Sequence, residues 1–303
     1  MSKATAVANP NIAFVKYWGK IDETLNLPAN PSLSMNLAAL TTVTTVEFRP
    51  GLLVDAVTID DKPAVGQSFD RVVAHLDRIR SLAGVTARAC VVSRNDFPAG
   101  TGLASSSSAF AALSLAANRA AGLDLDEGAL SRLARLGSGS ACRSVPAGFS
   151  LWEGDSDGTS FARQVAGRGH WDLVDVVAIV AYEHKAVGSH DGHGLASTSP
   201  LQNARLAAVP GWLKAVLRGI RDRNLAAIGP CVEADALAMH GVMMTSVPSL
   251  LYWTPATVSV LHAVRAWREK GLRVFFTLDA GPNVHCLCES ADALQIEERL
   301  RNL

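Results

Sequence analysis

Apolar and polar positions alternate over Thr41–Phe48 (TTVTTVEF), and the β-branched content predicts a strand there. The spacing of Phe69, Val72, Val73, Leu76 and Ile79 predicts a helix over 69–82, and Ala87–Ser93 reads as the next strand. Ala104–Ala120 is apolar nearly all round and opens on a run of serines, the pattern of a buried helix capped by hydroxyls. An amphipathic helix over Leu123–Leu136 follows, then a loop of small residues over Ser138–Gly148 and a strand over Phe149–Glu153. Before all of these, Thr5–Val15 is short and apolar around an Asn-Pro-Asn turn, and Gly19–Pro31 reads as a polar loop. The polar stretch Gly154–Gly169 reads as a linker and places a domain boundary at 168/169.

The second half repeats the mixture. Val174–Ala181 reads as a strand, Ala204–Asn224 and Ala226–Met244 as helices, and Thr257–Lys270 as a helix ended by Gly271. Strands over Leu272–Leu278 and Val284–Cys288 flank the turn Asp279-Ala-Gly-Pro-Asn283, and a helix over Asp292–Leu300 closes the chain. Strands and helices mixed in both halves predict an α+β protein.

Composition narrows the choice. The chain has 303 residues, of which 49% are hydrophobic, enough to bury a substantial core in two domains. Lys plus Arg number 28 and Asp plus Glu 28, so the net charge is zero and a nucleic-acid partner is not expected. An anionic ligand must be held by local cations. No apolar run approaches the ~18 residues of a membrane helix, and the opening Met-Ser-Lys-Ala-Thr-Ala has no leader pattern. Five cysteines without CxxC spacing fit a reducing cytoplasm rather than a disulfide or zinc framework.

Certain segments carry candidate chemistry. Pro98–Ser108 (PAGTGLASSSS) combines glycines that let backbone approach a phosphate with a helix start that presents N–H groups and hydroxyls. It lacks the GxxxxGK[ST] spacing, and a glycine-rich turn before a capped helix reads equally from the residues. In Gly137–Arg143 (GSGSACR), a guanidinium beside hydroxyls suits a carboxylate or phosphate, or it satisfies backbone carbonyls. Asp279–Asn283 delivers a carboxylate to a strand end, where it is either an acid–base group or an Asx turn. In Asn11–Lys20 (NIAFVKYWGK), Lys16 and Lys20 bracket an aromatic pair and either clamp a phosphorylated substrate or remain solvated. His184, His190 and His193 have no acidic or cysteine ligand cluster beside them, so a polar loop is expected rather than a metal site. Cys286 and Cys288 share one strand face and read as buried thiols.

Ala8–Lys20, Asn95–Ser108, Ser138–Arg143 and Thr277–Asn283 together resemble, in the same order, the mevalonate diphosphate decarboxylases, a branch of the GHMP kinase superfamily. Met239-His240, Ser246-Val-Pro-Ser249 and Leu251-Tyr252 also fit, so the resemblance covers nearly the whole chain. It implies a two-domain GHMP kinase fold. An N-terminal ATP-binding domain like the second domain of ribosomal protein S5 would occupy 1–168, and a ferredoxin-like domain 169–303, with the site between them. It implies ATP and Mg2+, and the conversion of 5-diphosphomevalonate to isopentenyl diphosphate by phosphorylation of the 3-hydroxyl and loss of phosphate and CO2.

The resemblance also assigns residues. Asp279 would orient or deprotonate the 3-hydroxyl, with Lys16 near it and near the transferring phosphate. Arg143, oriented by Asn11, would hold the substrate carboxylate. Tyr17, Lys20, Arg71, Ser138 and Ser140 would grip the 5-phosphoryl end. Pro98, Gly100, Gly102, Leu103, Ala104, Ser105, Ser106, Ser107 and Ser108 would hold the ATP phosphates, with the Ser107 hydroxyl in reach of the magnesium ion. Relatives carry E-K-K-x-x-G-S-T-x-G-M where this chain reads Glu183–His193, with His184, His190 and His193 replacing lysine, threonine and methionine. That departure makes a 5-monophosphate substrate the alternative, with His190 as a substrate contact. The rivals are a small-molecule kinase of the same superfamily and a silent binding protein. The former is disfavoured by the Asp279 turn and the Arg143 loop, the latter by the presence of Asp279, Lys16 and Arg143. A cytoplasmic homodimer acting on small molecules, without nucleic-acid or membrane partners, is expected.

Overall fold

The computed structural model describes residues 3–97, 105–181 and 187–303. The chain opens with β1 (Lys3–Ala8) and β2 (Asn11–Val15), then a short ribbon of β3 (Lys20–Asp22) and β4 (Leu27–Pro28). β5 (Ser32–Asn36), β6 (Thr42–Arg49), β7 (Ala56–Ile59) and β8 (Lys62–Pro63) lead to helix α1 (Gln67–Ala83) and β9 (Arg88–Asn95). Helices α2 (Ser105–Ala120) and α3 (Glu127–Gly137) follow. A 3₁₀ turn over Gly139–Ser144 then leads to β10 (Phe149–Glu153) and β11 (Phe161–Ala166). These strands form one sheet in the order β1-β6-β9-β7-β8 and a second in the order β11-β10-β5-β2.

The second half contains β12 (Leu173–Ala178), the short helix α4 (Ser189–Gly194), and the long helices α5 (Gln202–Asp222) and α6 (Leu225–Thr245). Helix α7 (Pro255–Glu269), β13 (Phe275–Thr277), β14 (Val284–Glu289) and α8 (Ser290–Arg301) complete it. Its strands pair antiparallel in the order β12-β14-β13. The architecture is α+β, as the mixed periodicities predict.

Local chemistry sets the helix ends. Asp126 accepts from Ala129 N at 2.7 Å to start α3, a cap worth about 1 kcal/mol. Thr254 and Thr257 form a capping box at the start of α7, with Pro255 at the first helical position. The apolar positions of β6 and α1 meet in one core, where Val46, Phe48, Leu76 and Ile79 pack with Val91 and Phe110. A second core joins the two halves: Ile12, Phe14, Leu33 and Phe149 pack against Val209, Val216, Ile228 and Phe275. This part of the seam between the halves is apolar, and β2 lies in it.

Several loops of the sequence reading are ordered elements. The Gly154–Gly169 linker contains β11, which pairs with β10 from Glu153↔Phe161 onward, and a pairing partner is information that local composition lacks. The Gly19–Pro31 loop holds the β3–β4 ribbon, and the small-residue loop after α3 winds into the 3₁₀ turn. The polar loop around His190 and His193 is helix α4. In β5 the polar positions Ser32 and Ser34 have no exposure, because they face a buried arginine rather than water.

Candidate active site

A cavity of about 310 Å³ opens between the halves. At its deep end Lys16 directly follows β2, the 3₁₀ turn presents Arg143, and the residue two beyond β13 is Asp279. Lys16 Nζ donates to Asp279 Oδ1 at 2.7 Å; the lysine side chain is 1% exposed and the aspartate 26%. Burial pushes the Asp279 carboxyl up, but the charges of Lys16, His285 and Arg143 hold it below the usual carboxylate range. Burial also lowers the Lys16 ammonium, against the opposing pull of Asp279 and Asp235.

The Asp279 turn is held on every side. Asp279 O accepts from His240 Nε2 at 3.1 Å and from Gly281 N at 2.7 Å. Thr257 Oγ1 donates to Pro282 O at 2.7 Å, and Asn283 Oδ1 accepts from Val180 N at 2.8 Å. Arg143 spends Nε on Ser34 Oγ at 3.1 Å and Nη1 on Ser32 Oγ at 2.6 Å, so the two serines of β5 aim the guanidinium. The expected contact from Asn11 runs to the turn rather than to the guanidinium. Its Nδ2 donates to Ser144 Oγ at 2.8 Å and Ser140 O at 3.2 Å, and Asn11 does not line the cavity.

The outer end carries Tyr17, Lys20, Arg71, Ser138, Ser140 and His190, all in the cavity wall. Arg71 Nη2 donates to Gly137 O at 3.0 Å. Gly139 makes room for Tyr17, since a Cβ there would lie 2.5 Å from the phenol oxygen. Burial raises the Tyr17 pKa well above its ordinary value, so the phenol stays protonated. Acidic groups temper this end: Lys20 Nζ bonds Glu23 Oε2 at 2.7 Å, and Asp191 joins the wall.

His193 is buried, with its ring centroid 4.0 Å from Tyr17 and 4.6 Å from Trp18, and its Nδ1 accepts from Gly19 N at 3.1 Å. Burial, and after it the charge of Lys20, pushes both His193 and the more exposed His190 below the usual imidazole range. These rings therefore change charge below the ordinary imidazole value of about 6.5. Among the described residues no cluster of His, Cys, Asp or Glu could hold a metal ion.

At the start of α2, Ser105 and Ser106 line the cavity, and Ser106 Oγ lies 3.3 Å from Ser138 Oγ. Ser107 and Ser108 have no exposure, and Ser108 Oγ meets Thr42 Oγ1 at 2.7 Å, so only the first two hydroxyls face the cleft. Pro98, Gly100, Gly102, Leu103 and Ala104, with His184, lie outside the described residues. The sequence reading missed Asp191, Gln67, Asn26 and Met239 as wall residues and His240 as a support. Met239 and His240 sit inside an apolar helix, where nothing local separates a wall residue from a core one.

The arrangement can bind a molecule with anions at both ends and place a carboxylate–ammonium pair against its middle. Comparison with known proteins agrees. Residues 8–162 match the family described as diphosphomevalonate decarboxylase-like N-terminal domain, and 175–303 the mevalonate 5-diphosphate decarboxylase C-terminal domain. The chain is 34% identical over 299 residues to a phosphomevalonate decarboxylase of Haloferax volcanii, covering 98% of this chain and 91% of that protein. It is 34% identical to the diphosphomevalonate decarboxylase of Homo sapiens, covering 93% and 75%. The crystal structure of mevalonate diphosphate decarboxylase from Staphylococcus aureus superposes with a TM-score of 0.95 at 36% identity, over 99% of this chain and 92% of that one. A structure described as MDDEF in complex with MVAPP, AMPPCP and magnesium gives 0.93 at 38%, over 98% and 92%.

Proposed function

The chain belongs to the mevalonate diphosphate decarboxylase family, and from that premise we propose how its own residues carry out the ATP-dependent decarboxylation of 5-diphosphomevalonate to isopentenyl diphosphate, with release of ADP, phosphate and CO2. The observation that carries the assignment is the 2.7 Å Lys16–Asp279 pair in the cleft wall beside the buried Arg143.

A tertiary alcohol is a poor nucleophile and a worse leaving group, so the 3-oxygen must first accept the γ-phosphoryl group of ATP. Asp279 holds the 3-hydroxyl in line and receives its proton. A carboxylate held below its ordinary range is a weak base, and a loose phosphoryl-transfer transition state demands little proton abstraction before the P–O bond to ADP breaks. Orientation is therefore the larger part of its work. Lys16 neutralises charge on the transferring group and fixes the carboxylate. The proton passes from Asp279 to the transferred phosphoryl group, which later leaves as hydrogen phosphate; as that C–O bond breaks, positive charge develops at C3, and the re-ionised Asp279 carboxylate stabilises it. Arg143 holds the substrate carboxylate so that the C–CO2 electron pair falls into the new double bond as CO2 departs. Tyr17, Lys20, Arg71, Ser138 and Ser140 bind the 5-phosphoryl end.

Ser105 and Ser106 meet the ATP phosphates at the start of α2, with Pro98–Ala104 assigned to the same phosphates by the sequence. Magnesium would arrive on those phosphates, with serine hydroxyls rather than a carboxylate cluster as the protein's contribution, and it would offset their charge. We retain a cytoplasmic homodimer divided at 168/169; the unpaired thiols of Cys90, Cys142, Cys231, Cys286 and Cys288 support the compartment.

A second reading, 5-phosphomevalonate going to isopentenyl phosphate, is favoured by one observation. The outer end offers Lys20 already neutralised by Glu23, an Asp191 in the wall, and imidazoles held neutral. The deciding experiment is ADP and CO2 release from the two substrates side by side. ADP without CO2 from both would refute decarboxylation and leave a kinase.

A further inference from the structure

The backbone of residues 16–19 leaves β2 without a strand beside it, yet it is buried, so its N–H and C=O groups need partners from elsewhere. Asn30 Nδ2 and Ala29 N of the first half serve Lys16 O at 2.9 Å and Gly19 O at 3.1 Å, and the second half supplies the rest. Asp235 Oδ2, from α6, accepts from Lys16 N at 2.5 Å. Arg205 Nη2, from α5, donates to Lys16 O at 2.9 Å, and its Nη1 reaches Trp18 O at 3.5 Å. Gln202 Nε2 donates to Trp18 O at 3.2 Å. Arg205 Nε and Asp235 Oδ1 bond each other at 2.9 Å, and the two side chains are 1% and 0% exposed. Gly19, at φ +91°, is where the chain turns out of this grip, and a Cβ there would lie 2.6 Å from Gln202 Nε2.

We infer that the Arg205–Asp235 pair is a positioning device for the reaction: it clasps the peptide groups on both sides of Lys16 and so fixes the ammonium that meets Asp279. Neither side chain lines the cleft. A buried ion pair is seldom worth more to stability than a well-packed apolar pair, so its presence here is explained better by geometry than by stability. The contacts of Arg205 and Asp235 on the Lys16 peptide groups run from the half that carries Asp279 to the half that carries Lys16, and Asn30 Nδ2 of the first half shares Lys16 O at 2.9 Å. The charge of Asp235 reaches the ammonium as well, favouring its protonated form against burial. This inference rests on the assignment of Lys16 and Asp279 to the reacting end.

Asp235→Asn keeps an acceptor for Lys16 N and removes the charge. The charged and titratable groups around Lys16 are Asp279, Asp235, Arg143, Arg205 and His285, so with Asp235 neutral the ammonium loses one of its two anionic neighbours. Its pKa falls, and the alkaline limb of kcat/KM moves to lower pH. A drop in kcat of about tenfold to a hundredfold is expected for a lost charged hydrogen bond, with KM for ATP unchanged. Arg205→Lys is the second variant: it keeps the charge beside Asp235 but cannot fork to both carbonyls, so kcat falls without the limb moving. A folded Asp235→Asn enzyme whose kcat and pH profile superpose on those of the parent overturns the inference. If that variant does not fold, an Arg205→Lys enzyme with parental kcat overturns it instead. The parent enzyme and Asp279→Asn are assayed in parallel. A parent that releases no CO2, or an Asp279→Asn enzyme that turns over normally, refutes the functional reading, whereas parental behaviour of the clasp variants alone refutes only the clasp.

Discussion

At the deep end of the cleft, Lys16, Arg143 and Asp279 stand at strand ends and on a 3₁₀ turn, with the backbones of Lys16 and Asp279 and the guanidinium of Arg143 held by buried partners. At the outer end, His190 and Asp191 lie on the six-residue helix α4 with exposed side chains, and Lys20 is balanced by the half-exposed Glu23. The contrast follows from what each end must do. Phosphoryl transfer and C–C cleavage depend on sub-ångström placement, and rigid elements provide it. Gripping a phosphate depends mainly on charge and hydroxyl count, which side chains on a short helix can vary without disturbing the fold. Damage at the deep end should therefore fall on kcat, and damage at the outer end on the choice between substrates.

The largest expected effect is at Asp279. Asp279→Asn keeps the shape, removes the charge and weakens the bond to Lys16. Turnover should fall by about 10³-fold, the size of losing a positioned catalytic group, with nucleotide affinity measured by titration little changed. A fall of less than tenfold would erase the distinction between the ends.

Next is Arg143→Lys. The ammonium cannot reproduce a guanidinium that bonds Ser32 and Ser34 while facing the substrate. A loss on the order of 10- to 100-fold in kcat/KM is expected, as for a charge-assisted hydrogen bond. ATP binding measured alone should be unaffected. Parental activity would mean that Arg143 serves packing, not the substrate carboxylate.

The same contrast governs what the sequence made legible. Asp279, Lys16 and Arg143 are assigned through the family resemblance carried by four segments in the same order; each segment alone reads as well as an Asx turn, a solvated lysine or a loop arginine, because local sequence does not show what a side chain will face. The long helices are readable in the sequence, α5 and α7 by their 3.6-residue apolar period and α6 by a long apolar run without strand-like alternation. What escaped depends on partners distant in sequence. β11 becomes a strand only beside β10, Ser32 and Ser34 are polar because of Arg143, and Asp235 and Arg205 matter only because β2 ends between α5 and α6. Asn11 was placed beside Arg143 and instead holds the turn that carries it.

At the outer end, Asp191→Asn removes an anion from the wall and touches nothing in the reacting pair. It should raise kcat/KM for the diphosphate relative to the monophosphate by up to about tenfold, a ceiling set by screening at an exposed site, with kcat nearly unchanged. A loss in kcat as large as that of Arg143→Lys would mean that α4 belongs to the catalytic frame.

The smallest effect concerns pH, and its sign separates the two ends. Asp279 must be ionised, so activity is present above its pKa and lost as pH falls through it; because that pKa is lowered, the acid limb lies below the ordinary value of about 3.9. Lys16 must be protonated, so activity is lost as pH rises through a pKa that burial has brought below the ordinary value of about 10.4. Those two limbs should appear for either substrate. The outer end adds His190 and His193, both lowered, first by burial and then by the charge of Lys20. Each is therefore neutral in the free enzyme at pH 7 and above, and protonation would strengthen the grip on the more anionic substrate only well into acid. Since kcat/KM reports the free enzyme, the ratio of its values for the two substrates should stay constant within about twofold between pH 7 and 8, once each phosphate's own ionisation is corrected for. A ratio that rises steeply as the pH falls from 8 to 7 would place an imidazole in titration there, and the outer end would then owe its selectivity to histidine charge rather than to the balance of Lys20, Glu23 and Asp191.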